Sequence, residues 1–327
     1  MRRREFILLI SGATAAQPIL AYAQKAEYRA RIAHIGILNY AGALYARVND
    51  FREELRYLGY VEGRSLIVSH LWADGHLDRL PRLAAELIER KVDLIIALGP
   101  SAWAAKRATT TVPIVIAFSG DLVGTGMLSN LARPGGNITG FSYLSTDLAA
   151  KRLELLSETF SRSGRIAVLY NPGEPATSLE LRETEAAARS LGVTLQPLAA
   201  GNPEAVDHAF ATAAREGADG MILFTHGFAE LNQARIIEQA AQHRIPTLYG
   251  WRDFSIGGGL MSYGPDVQVL VREAASYVDR ILRGERPGDL PVQQTVRLEL
   301  IVNLKTARAV GIAIPPALLS RADEVIE

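Results

Sequence analysis

The side chains of this sequence best placed to do chemistry are polar or aromatic residues that each follow a short apolar run. They are Asn39 and Tyr40, Trp72 and Asp74, Ser101 and Trp103, Ser119 and Asp121 in the first half of the chain. In the second half they are Asn171 and Glu174, Thr225 and His226, Trp251 with Arg252 and Asp253, and Tyr263. Hydroxyls, amides, a few carboxylates and rings suit non-covalent capture of a small molecule: the rings supply contact area and the polar groups fix orientation. Catalytic patterns are missing. The sequence has no G-x-S-x-G elbow, no H-E-x-x-H, no Walker lysine loop and no calcium-loop spacing. Its 6 histidines show no pair at helical ligand spacing and it has 0 cysteines, so no metal, disulfide or thiolate chemistry is expected. Gly124-Thr125-Gly126 approaches a dinucleotide fingerprint, but Ser129 stands at the third glycine position. The first strand also ends in Leu38-Asn39-Tyr40-Ala41-Gly42 rather than in a glycine-rich phosphate turn, so no cofactor is expected.

Each of these residues also has a structural reading. Asn171-Pro172-Gly173 can close a turn. Asp121 can cap a following segment instead of holding a ligand ammonium. Ser101 opens a helix, where a cap and an anion contact are equally compatible. Trp103 and Tyr249 fit a core, and Arg252 with Asp253 fits a local ion pair. The set therefore carries more weight than any member.

What must position the set is an alternation of buried strands and helices. Ile32 to Leu38, Leu66 to Leu71, Val92 to Leu98 and Ile114 to Phe118 are nearly continuous apolar runs, as in parallel strands buried on both faces. Amphipathic stretches lie between them, around Asn49 to Leu58, from Leu77 to Arg90 and from Ser101. The pattern then recurs. RIAVLY from Arg165 parallels RIAHIGI from Arg31, ADGMILF from Ala218 parallels VDLIIAL from Val92, and Ile245-Pro246 parallels Val112-Pro113. The opening strand and these X-Pro pairs are 81 residues apart in the first copy and 80 in the second. The fold class expected is α/β: two similarly wound parallel-sheet lobes joined by a three-crossing hinge, with a pseudo-repeat between them. The crossings fall at Ile138 to Tyr143, at Leu260 to Tyr263 before the helix Val267 to Leu282, and at Thr295 to Val302. The expected division is 31–139 with 264–292 for one lobe and 140–263 with 293–327 for the other. In such sheets ligands lie outside the carboxyl ends of the strands, which is where the polar set falls.

Residues 1–23 read as an address rather than a fold. Arg2, Arg3 and Arg4 precede the apolar run Ile7 to Ile10 and an Ala21-Tyr22-Ala23 site, the layout of a secretory signal peptide cleaved after Ala23. RREFI resembles a twin-arginine export signal, with general secretion as the other route. The whole chain has 35 basic and 35 acidic residues; without the leader 32 and 34 remain. A balanced charge of this kind argues against a generic nucleic-acid partner. No stable membrane insertion is expected after cleavage.

Larger stretches are similar to one known family. Gly59-Tyr60-Val61-Glu62-Gly63, WADGHLDRLPRL from Trp72, RPGGNITG from Arg133, KRLELL from Lys151, GGLMSYG from Gly258, LPVQQ from Leu290 and ADEVI from Ala322 resemble the periplasmic substrate-binding proteins of bacterial ABC transporters. The resemblance implies the type I binding-protein fold, a periplasmic location, a membrane permease as partner, a monomer, no enzymatic activity, and an amino acid as ligand, aromatic favoured. On that basis Asn39, Ser101, Ser119, Asp121, Asn171, Thr225, Trp251, Asp253 and Tyr263 are the candidate ligand contacts. For an amino acid, Ser101 and Ser119 would receive the carboxylate and Asp121 the ammonium, with Trp251 and Tyr263 packing the side chain. A ligand sensor without transport, and an enzyme on the same two-lobed fold, are the alternatives.

Overall fold

The structure, a computed structural model, describes residues 32–42, 46–143, 145–160, 164–294 and 297–327. The expected leader, residues 1–23, lies outside the described residues. Two sheets account for the apolar runs. The first is ordered β2 (Leu66–Trp72), β1 (Ala33–Asn39), β3 (Leu94–Leu98), β4 (Ile114–Ser119), β5 (Ile138–Ser142) and β11 (Gln293–Gln294). The second is ordered β7 (Thr194–Ala199), β6 (Arg165–Tyr170), β8 (Gly220–Leu223), β9 (Thr247–Tyr249), β10 (Met261–Pro265), β12 (Leu298–Asn303) and β13 (Glu324–Ile326). Both begin with the same winding, the second strand outside the first and the third and fourth on the other side, as the repeated sequence predicts.

The repeat extends to individual hydrogen bonds. Asp93, just ahead of β3, donates its N–H to the His34 carbonyl and accepts the His34 N–H on its carboxylate at 2.8 Å. Asp219, ahead of β8, treats Arg165 in the same way, with the carboxylate contact again at 2.8 Å. Asp323, ahead of β13, does so with Leu300. An aspartate that exchanges both backbone groups with its neighbour strand fixes the register before the buried run begins. The helices also end alike: Gly59 after α1 (Ala46–Tyr57) and Gly192 after α5 (Pro175–Leu191) take φ values of 94° and 66°, a region open to glycine without a Cβ penalty.

Several expectations are corrected. Leu77 to Arg90 is not one helix but a short 3₁₀ turn, Leu77–Arg79, followed by α2 (Leu80–Glu89), because Pro81 cannot donate a hydrogen bond back into a preceding turn. The second sheet is not wholly parallel, since β12 runs antiparallel to β10. The chain leaves lobe 2 at the carboxyl end of β10 and returns at the same end from β11, so the re-entering strand must run backwards. Gly140 to Ser142 and Gln293–Gln294 pair in the first sheet, so its ladder runs past the expected divisions at 139 and 292.

The three crossings join β5 to α4 (Ala149–Ser157), β10 to α10 (Val267–Leu282), and β11 to β12, all at the carboxyl ends of strands. Asp266 caps α10 at once after the second crossing, accepting the Gln268 N–H at 2.9 Å. Among the described residues no helix is long and apolar enough to cross a membrane.

Candidate ligand-binding site

The carboxyl ends of both sheets face one cleft. The first lobe contributes Asn39 to Ala41, Gly99 and Pro100 ahead of α3 (Ser101–Ala108), Trp103 on it, and Phe118 to Asp121. The second contributes Glu174 to Thr177 at the start of α5, Thr225 to Gly227 after β8, Glu230 on α7 (Gly227–Leu231), and Trp251 after β9. Tyr143 enters from the first crossing. The lobes touch: a Cβ on Gly227 would fall 2.7 Å from the Tyr40 ring, and one on Gly120 would fall 2.9 Å from the Ala176 methyl.

Two walls of different chemistry result. In the first lobe the expected contacts mostly serve their own turns. Asn39 accepts the Ala41 N–H at 3.1 Å and donates to the Gly42 carbonyl at 3.3 Å. Asp121 accepts from the N–H groups of Val123 and Gly124 at 3.1 and 2.7 Å. Ser119 lies half-buried on the cleft, while Ser101 is fully buried beneath it, outside the lining, with its hydroxyl unpartnered.

In the second lobe polar atoms are buried at the cleft without hydrogen-bond partners: Thr225 Oγ1, His226 Nε2, Trp251 Nε1 and Glu174 Oε1. Such atoms carry a desolvation cost that a fitting ligand removes. His226 caps α7, its Nδ1 accepting the Ala229 N–H at 3.1 Å. The neutral ring therefore bears its proton on Nε2, and burial holds its pKa down at about 3. Thr225, His226 and Trp251 are thus donors. Glu174 is the acceptor in the same wall, and burial raises its pKa to about 7. Burial, then the Glu174 carboxylate, pushes the Tyr40 hydroxyl up to about 12. The Tyr143 hydroxyl is raised as well, by burial first and then by Glu180 and Glu174. Thr225 stands near it and opposes that shift, without hydrogen-bond geometry between them.

Aromatic rings close one side. Phe118, Tyr143 and Trp251 form a triangle with centroid separations of 6.5, 6.3 and 6.3 Å, each buried and packed on the other two. Phe118 and Tyr143 stand at the ends of apolar runs and were absent from the expected contacts. Trp251 was expected. Tyr263 was paired with it in expectation, but its ring lies half-buried with the cluster containing Leu153, Leu156 and Leu300, away from the cleft.

Behind the wall lies a buried ion pair that the sequence reading missed. Arg152 is 0% exposed; its Nη1 donates to Glu180 Oε1 at 2.6 Å and its Nε donates to the Tyr263 carbonyl at 2.9 Å. It joins α4, after the first crossing, to β10, before the second, and to α5, whose first turn carries the cleft. Burial pushes the Glu180 carboxyl up, and the facing guanidinium pulls it back. A signal was available: Arg152 shares a helix face with Ala149, Leu153 and Leu156, all buried, and a lone charge on an apolar stripe calls for a partner.

Arg47 on α1 reaches across the cleft mouth. Its Nε meets Glu230 at 3.1 Å, its Nη2 meets Asp253, and its guanidinium lies 5.8 Å from the Trp251 ring centroid. Asp253 is therefore not paired with Arg252, which instead binds Glu299 at 2.6 Å and Glu324 at 3.0 Å. Asn171 closes its own turn by accepting the Gly173 N–H at 2.9 Å, outside the lining. Among the described residues no group of three acidic or histidine side chains is arranged to hold a metal.

Two wound lobes, three crossings and a polar cleft between strand ends define a two-lobed ligand-binding protein. The chain belongs to the ABC transporter substrate binding protein family, whose model matches residues 32–326. A curated tyrosine-binding protein of Clostridioides difficile (strain R20291) is 26% identical over 261 residues, 79% of this chain and 74% of that one. A conserved domain protein from Vibrio cholerae is 28% identical with a TM-score of 0.85, over 90% of this chain and 100% of its own. An ABC domain from Streptococcus pneumonia in complex with L-Trp superposes with a TM-score of 0.83 at 22% identity, over 90% and 99% of the two chains.

Proposed function

We propose that this protein is exported to the periplasm, captures an amino acid, aromatic by preference, between its lobes, and delivers it to an ABC permease. The observation that carries the ligand class is the pairing of unpartnered donors on Thr225, His226 and Trp251 with the unpartnered acceptor of Glu174. A carboxylate beside the first three and an ammonium beside the fourth would satisfy all of them, and an α-amino acid carries both groups on one carbon. This reassigns the ammonium from Asp121, whose Oδ1 serves its own turn and whose Oδ2 accepts the Thr146 hydroxyl, and the carboxylate from Ser101, which lies outside the lining. The tyrosine-binding relative supports the aromatic preference. The three crossings serve as the hinge: ligand contacts one wall, and closure brings the other. No step of covalent chemistry is assigned to the cleft.

Isothermal titration of refolded, ligand-stripped protein against the twenty amino acids tests the reading. Saturable binding of tyrosine or tryptophan is expected, and silence across the whole set would sink it. Recovery of the bound ligand unchanged, checked by mass spectrometry, is expected of a carrier; turnover would favour the enzyme alternative.

A further inference from the structure

The cleft divides into two chambers. The inner one, ringed by the unpartnered atoms and the aromatic triangle, leaves about 40 Å³ free. That is room for about three waters, or for the head group of an amino acid, and too little for an aromatic side chain as well. The outer one is a groove of about 380 Å³ open to the surface. Leu77 and Leu80 wall it on one side, Trp103 and Arg107 of α3 on another, and Pro175 of the second lobe opposite. Trp103, Glu174 and Pro175 line both chambers and form the neck between them.

At the inner wall Phe118, Tyr143 and Trp251 are packed on one another. Trp103 is different. It is half-buried, and Lys106 stations it, lying 5.7 Å from its ring centroid while donating to the Met127 carbonyl at 2.6 Å. Beyond it Arg107 is exposed and makes no ion pair with any described residue. A ligand whose ammonium meets Glu174 has its α-carbon at the neck, so its side chain points into one chamber or the other.

We infer that the outer chamber is the side-chain subsite: an aromatic ring passes Trp103 and Pro175 to lie against Leu77 and Leu80, and Arg107 favours a hydrogen-bond acceptor or anion at the ring's para position. This rests on the amino-acid reading and deepens it to a ligand class, para-substituted aromatic amino acids. Leu77 and Arg107 are surface residues, so their variants are expected to melt like the parent.

The test compares phenylalanine with 4-carboxyphenylalanine, by calorimetry, on the full chain and on the Arg107→Met and Leu77→Trp variants. The 4-carboxy compound is expected to bind about 3-fold tighter than phenylalanine to the parent, the size of an exposed ion pair. That ratio falls to about one in Arg107→Met. Leu77→Trp, which fills the chamber, weakens both ligands by about 10-fold. Rejection of the 4-carboxy compound by the parent, with phenylalanine unaffected by Leu77→Trp, overturns the subsite and leaves the amino-acid reading standing. Failure of the parent to bind any amino acid removes both.

Discussion

The two lobes share a winding order and an aspartate that sets strand register, yet they meet the ligand space differently. In the first lobe Asn39 and Asp121 spend their hydrogen bonds on their own turns, so that wall is shaped and largely satisfied before any ligand arrives. In the second lobe Thr225, His226, Trp251 and Glu174 hold polar atoms buried and unused. On the proposed reading one copy of the unit supplies a surface and the other the polar grip. Duplication preserves the frame because the frame is backbone pairing, whereas side chains at strand ends are free to diverge.

The comparison can be broken at several points. Arg152→Ala has the largest expected effect, because it strands Glu180 in the interior of lobe 2. A stability loss of about 3–5 kcal/mol is expected in chemical denaturation, the range for breaking a buried pair. An unchanged midpoint would mean the pair does not support the grip wall.

Glu174→Gln comes next. Loss of an ammonium contact should weaken amino-acid binding by about 10- to 100-fold, the range of a charge-assisted hydrogen bond. Its pH behaviour is the sharper readout. With a pKa near 7 in the empty cleft, Glu174 must lose a proton to meet an ammonium, so affinity should rise with pH up to about 7 and the variant should lose that slope. Stability of the ligand-free protein should move the other way: a raised carboxyl pKa contributes stability below its unfolded value of 4.5, and this is lost as pH climbs through about 7. Melting curves of parent and variant across that window would expose a mistaken assignment if they ran parallel.

Arg47→Ala removes a contact between the lobes. Because its partners Glu230 and Asp253 lie on the second lobe at the mouth, ligand dissociation should quicken about 5-fold with association little changed, read by stopped-flow. The smallest effect belongs to the shaped wall: Asn39→Ala should cost about 1 kcal/mol in stability through its turn and leave the Kd within about 3-fold. A larger binding loss there than in Glu174→Gln would reverse the roles of the two lobes.

Much of the frame was legible because buried parallel strands are continuous apolar runs, and a duplicated unit repeats them at a fixed spacing. Helix limits were less so: Pro81 divides Leu77 to Arg90 at a point that helical periodicity passes over. At the cleft, strand-end position identified Asn39, Ser119, Asp121, Thr225 and Trp251, all of which line it. It also put Ser101, Asn171, Asp253 and Tyr263 there, and they do not. Position after a strand says which end of the sheet a residue occupies; the direction of its side chain depends on the turn that follows.

The sequence by itself determined the two copies, their winding and the strand ends at which the cleft lies, since these follow from hydrophobic patterning and local turn chemistry. Tertiary structure alone decided which polar atoms remain unused, that Arg152 meets Glu180, that Arg47 spans the mouth, and that a neck at Trp103 parts two chambers. Each of these depends on residues far apart in the chain, and no local preference encodes whether a buried donor finds a partner.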